Sequence, residues 1–102
     1  MVANRYIPID QERIAGFCRQ WKIAEFSLFG SVLRDDFRPD SDVDVLVSFS
    51  PESTWSLLDV IEMSESLEAM FGRRVDVVEK EAIRNPFRRK AILSSREIVY
   101  AR

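Results

Sequence analysis

The chain of 102 residues contains no histidine and only one cysteine, Cys18. The first absence excludes imidazole-based triads and His-rich zinc sites. The second excludes an intramolecular disulfide, and Cys18, set in an apolar helical pattern, reads as a small core residue. Repeats, low-complexity tracts and linkers are also missing, so the length gives one domain spanning residues 1–102. No signal peptide is present and no apolar stretch approaches bilayer length, which points away from membranes and to the cytoplasm. Nor is there an excess of positive charge. A net charge of −2 and a pI near 5.2 argue against direct nucleic-acid binding. Acid–base chemistry is left to carboxylates, Lys, Tyr or bound water.

What is present suffices for a compact core: 46% of residues are hydrophobic, with two Trp and seven Phe, although a chain this short has little margin. The charge is uneven. Arg84, Arg88, Arg89, Lys90, Arg96 and Arg102 crowd the C-terminal end against Glu97 alone. That end is either a solvated face or a surface for an acidic partner or polyphosphate.

The chain is organised around FGSVLRDDFRPDSDVDVLV, residues 29–47. A strand from Glu25 to Phe29 stops at Gly30-Ser31, and a second strand, 42–49, opens with Asp42 and Asp44. Alternation along a strand puts both acids on one face, with Cα atoms roughly 6.5 Å apart. Val43, Val45, Val47 and Phe49 then share the apolar face. Carboxylates this close raise each other's pKa unless a cation lies between them. Such hard oxygen ligands suit Mg²⁺ or Mn²⁺, which also take substrate phosphates. Gly30 lets the backbone approach a phosphate, Ser31 can donate to its oxygens, and Arg34 can add a charge-assisted contact. Val32 and Leu33 begin a short helix, whereas Asp35 and Asp36 read as exposed loop. Pro39-Asp40-Ser41 is a turn, in which Ser41 either binds a phosphate or caps the turn.

Elsewhere the pattern gives an α/β domain, a small mixed sheet with helices packed on it. Pro8 and the N-cap Asp10 introduce a helix whose apolar stripe is Ile14, Phe17, Cys18 and Trp21. Ser53 or Thr54 caps a second helix, over 55–71, with Leu57, Leu58, Ile61, Leu67, Met70 and Phe71 expected against the sheet. Glu62, Glu65 and Glu68 form its solvated side, and Gly72 ends it in the left-handed conformation. Asp76 interrupts the apolar third strand, 73–79. It either lies on an edge or pairs with Arg73 or Arg74, or it joins Asp42 and Asp44 as a third carboxylate. Asn85-Pro86 opens a helix bearing the basic cluster and Phe87, Ala91 and Ile92. A last strand, 96–101, has Ile98 and Tyr100 on one face.

Gly30-Ser31, ten intervening residues and Asp42-Val43-Asp44 resemble the signature of the nucleotidyltransferase superfamily that includes DNA polymerase β. The wider string GSVLRDDFRPDSDVDVLVSF is similar to its smallest members, the minimal nucleotidyltransferases of prokaryotes, and length and element order match across nearly the whole chain. The resemblance implies a polymerase β-like fold in which Asp42, Asp44 and Asp76 are the catalytic metal ligands for Mg²⁺ or Mn²⁺. It also implies that Gly30 and Ser31 hold the triphosphate of ATP, with Arg34 as a helper. AMP would pass to a tyrosine of a HEPN-domain toxin, for which the chain is the antitoxin. Two alternatives stay open: a non-catalytic antitoxin that covers its partner, and transfer to a small-molecule hydroxyl.

Overall fold

The computed structural model describes residue 7 and residues 9–33, 38 and 41–102. The expectations for Pro8, Arg34, Asp35, Asp36, Pro39 and Asp40 lie outside the described residues.

The Asp10 carboxylate accepts the N–H groups of Glu12 and Arg13 at 3.1 and 3.2 Å, capping helix α1 (Gln11–Gln20). This is the role its position before the apolar stripe suggests. Strand β1 (Ile23–Phe29) follows and ends in a 3-10 turn, Gly30–Leu33. Then come β2 (Val43–Phe49), α2 (Leu57–Phe71), β3 (Val75–Glu79), a 3-10 turn at Lys80–Ala82, α3 (Pro86–Ser95) and β4 (Glu97–Ala101). The strands lie in the order β3-β2-β1-β4. β2 and β3 are parallel, while β1 is antiparallel to both β2 and β4, so the sheet is mixed as expected.

Strand alternation divides the apolar residues between two faces. Phe26, Leu28, Val43, Val45, Val47, Val75 and Val99 share a core with Ile14, Phe17 and Cys18 of α1 and Met63, Leu67 and Phe71 of α2. On the opposite face Phe29 and Leu46 meet Ile83 and Ile92, with Val78 and Leu93 packed against them. Helices therefore cover both faces, with α3 over the second.

Helix α2 departs from expectation in two ways. Ser56, not Ser53 or Thr54, is the N-cap: its hydroxyl accepts the Asp59 N–H at 3.3 Å, and the Asp59 carboxylate accepts the Ser56 N–H at 2.9 Å. This reciprocal box satisfies two orphan donors and outcompetes caps with one bond. The buried stripe is Met63, Leu67 and Phe71, whereas Leu57, Leu58 and Ile61 are 77%, 77% and 48% exposed. Apolar residues occupy more than one side of this helix, so periodicity alone selects no single face. Gly72 ends α2 in the left-handed conformation, φ 71°, as expected. Of the three glutamates, Glu62 and Glu65 are exposed, but the Glu68 carboxylate accepts the Val75 N–H at 3.1 Å and ties α2 to β3. In β4 the core residue is Val99, between Ile98 and Tyr100.

No helix among the described residues is long and apolar enough to cross a membrane. Cys18 is fully buried, and burial pushes its thiol up to about 12 against a small opposing effect of Arg19. The thiolate is the reactive form, so a disulfide reagent at neutral pH is expected to leave Cys18 untouched in the folded protein. In urea the same reagent is expected to titrate one thiol per chain.

Candidate active site

The site forms where β1 ends and β2 and β3 begin. β1 delivers Phe29 opposite Asp44, and the backbone then turns at Gly30 with φ 77°. A Cβ on Gly30 would stand 3.3 Å from Asp44 Cγ and closer still to Oδ2. Glycine is thus required twice, for the left-handed backbone and for room beside the carboxylate.

Asp44 and Asp76 are direct partners in the β2–β3 register. Neighbouring strands are about 4.8 Å apart, so both carboxylates issue from adjacent positions on one face. Asp42 stands one residue before β2, and the Val43 N–H donates to the Arg74 carbonyl at 2.9 Å, which fixes the approach of the two chains there. β3 is an edge strand, and Asp76 is exposed. Its carboxylate stays in water, so the edge position alone accounts for an acid in an apolar run.

The basic residues before β3 fall differently from either pairing considered for Asp76. Arg74 Nε lies 3.3 Å from Asp42 Oδ1, and Arg73 Nη1 donates to the Arg38 carbonyl at 2.8 Å. The Arg74–Asp42 pair is largely exposed and contributes little to stability, but it occupies one candidate ligand. Sequence alone did not single out this contact, because Arg74 precedes Asp76 and its link to Asp42 arises only from parallel strand pairing. Ser41 caps its turn: its hydroxyl oxygen accepts the Arg38 N–H at 3.0 Å. Ser31 is half-buried in the 3-10 turn. The structure thus brings Gly30, Asp44 and Asp76 together with Asp42 beside them, while Arg34 lies outside the described residues.

The α3 side of the sheet is tied down by charges that sequence reasoning did not single out. Glu25 of β1 accepts from Lys80 Nζ at 3.3 Å and from Arg96 Nη1. Arg89 Nη1 donates to the Lys80 carbonyl at 2.6 Å. Partial burial pushes the Glu25 carboxyl up, but hydrogen bonds and charge from Arg96, then Lys80, outweigh it and hold the group below the usual glutamate range. Stability from this tie is complete above the unfolded glutamate pKa and is lost as pH falls through the depressed folded-state value. Glu25→Gln is expected to cost about 1–3 kcal/mol near neutral pH. It should also flatten the acid limb of melting temperature against pH.

The nucleotidyltransferase domain family matches residues 12–99 of this chain. The chain belongs to that family. It is 42% identical over 78 residues to the protein adenylyltransferase MntA of Thermococcus cleftensis, covering 76% of this chain and 74% of the relative. A Methanocaldococcus jannaschii protein assigned as a protein adenylyltransferase, MJ1379, is 34% identical over 73 residues, covering 72% and 73%. Among solved structures, a protein assigned as a minimal nucleotidyltransferase superposes with a TM-score of 0.70 at 33% identity, covering 85% of this chain and 86% of that one. A toxin–antitoxin complex solved with AMP-PNP gives a TM-score of 0.72 at 18% identity, covering 92% and 75%, a likeness of fold. The fold expected from the Gly-Ser and Asp-Val-Asp motifs is therefore the one observed.

Proposed function

We propose that this chain transfers AMP from ATP to a tyrosine hydroxyl of a HEPN-domain toxin, serving in the cytoplasm as that toxin's antitoxin. The observation that carries the chemistry is the register of Asp44 on Asp76, with the Asp44 carboxylate lying directly against the Gly30 turn. The acceptor class follows from the similarity to the Thermococcus adenylyltransferase. The fold is shared with a tri-AMPylated Shewanella oneidensis HEPN toxin complex with its MNT antitoxin (TM-score 0.65, 17% identity).

Asp42, Asp44 and Asp76 would hold Mg²⁺ or Mn²⁺, and the donor set fits: all are hard carboxylate oxygens. Among the described residues no three such side chains are already gathered into a cage. An ion of this kind keeps waters and takes substrate phosphates as further ligands. When bound, it neutralises charge on the triphosphate and favours ionisation of the acceptor hydroxyl. Asp42 would exchange its pairing with Arg74 for the metal. The Gly30 and Ser31 N–H groups and the Ser31 hydroxyl would hold the phosphates, with Arg34 as a helper. Asp76 takes the proton of the acceptor hydroxyl. The freed oxygen bonds to the α-phosphorus as the bond from that phosphorus to the α–β bridging oxygen breaks, and pyrophosphate leaves.

Co-expression with the toxin tests whether inhibition is catalytic. Wild-type chain is expected to restore growth, and a chain carrying Asp42→Asn and Asp44→Asn is expected to fail despite normal accumulation. Full rescue by the double variant would mean that covering the toxin is sufficient.

A further inference from the structure

A cavity of about 360 Å³ lies between the Gly30 turn and α3, lined by Phe29, Gly30, Leu33, Ala91, Ile92 and Ser95. Its volume is in the range of small-molecule sites, which are typically apolar with a few placed polar groups. Among the described residues no ionisable side chain lines it. A phosphate would demand cations there and a metal ion would demand carboxylates, so the lining suits an uncharged, largely apolar group. Among the described residues its polar features are the Gly30 backbone and the Ser95 hydroxyl. Ser95 Oγ donates to the Ala91 carbonyl at 2.7 Å, which leaves its lone pairs to accept from a ligand hydroxyl or amine.

Gly30 belongs both to this cavity and to the Asp44 site. A molecule seated in the cavity therefore abuts the position where phosphates approach the backbone. We infer that the cavity takes the nucleoside end of the substrate, with the base against Phe29, Leu33 and Ile92 and the sugar hydroxyls toward Ser95. Helix α3 is then a specificity-determining wall of the site, held in place by Arg89 on Lys80 and by Arg96 and Lys80 on Glu25. The inference rests on the nucleotide-transfer reading and adds to it which element meets the nucleoside.

Ala91 is exposed on α3, so Ala91→Trp can fill the cavity mouth without opening the core. Binding of ATP and of inorganic tripolyphosphate, each with Mg²⁺, is measured on the full chain by calorimetry. Ser94→Trp, which alters the far side of α3 at a second cavity, is the control, and melting curves check the fold of both variants. Ala91→Trp is expected to weaken ATP binding roughly tenfold or more, with tripolyphosphate binding and melting temperature unchanged. Ser94→Trp is expected to leave both ligands unaffected. Unchanged ATP binding in Ala91→Trp overturns the inference, and so does an equal loss for both ligands. If wild-type chain binds neither ligand, the nucleotide-transfer reading itself falls and the nucleoside cavity with it.

Discussion

Asp44→Asn is expected to lower the rate of AMP transfer roughly 10³-fold or more while leaving the folded state intact. Asp44 pairs in register with Asp76 and lies two residues from Asp42, which stands just before the strand. In the proposed site, removing its charge would withdraw a ligand from the cation and weaken the hold on the triphosphate at once, and losses from groups that act as a unit are of this order. Asparagine keeps the shape, and one negative charge fewer beside Asp76 relieves repulsion between neighbouring strands. Single-turnover transfer rates, with melting curves alongside, separate the two effects. Loss of transfer together with a large fall in melting temperature would instead make Asp44 a structural residue.

Gly30→Ala is expected to damage both stability and activity, and Gly72→Ala only stability. Both glycines are left-handed, with φ 77° and 71°, and an L side chain there costs about 1–2 kcal/mol. Around Gly72 a Cβ meets nothing within 4 Å, whereas at Gly30 it runs into the Asp44 carboxylate. Gly30→Ala therefore adds an overpacking cost of about 1–3 kcal/mol and displaces the Asp44 carboxylate. Chemical denaturation of the two variants measures the difference. Comparable costs, with Gly30→Ala fully active, would mean that Asp44 turns aside freely and that its observed position does not matter.

Much of this site was legible because it is local. A strand ending at Gly30-Ser31 and an Asp-Val-Asp step at a strand start are short-range patterns, and period-2 alternation fixes which residues share a face. Asp76 needed the parallel pairing of β2 and β3, which the sequence suggests only through the intervening helix. Other features are non-local and left weaker traces. Arg74 reaches Asp42 across strands, and Ala91 and Ser95 face Gly30 only because α3 packs over that face of the sheet. In α2, Leu57, Leu58 and Ile61 imitate a core stripe that the fold gives instead to Met63, Leu67 and Phe71. One signal was available but missed: Ser56 followed three residues later by Asp59 is a capping box, and it sets the helix start later than Ser53 or Thr54.

The most direct test of the acidic site is the intact mass of a cognate HEPN-domain toxin after incubation with this chain, ATP and Mg²⁺. The predicted result is a gain of one or more AMP units that requires both the metal and Asp44 and is absent with Asp44→Asn. A stable complex whose toxin mass never changes, with ATP or any other nucleoside triphosphate, would contradict nucleotidyl transfer and leave a protein that inhibits by binding alone.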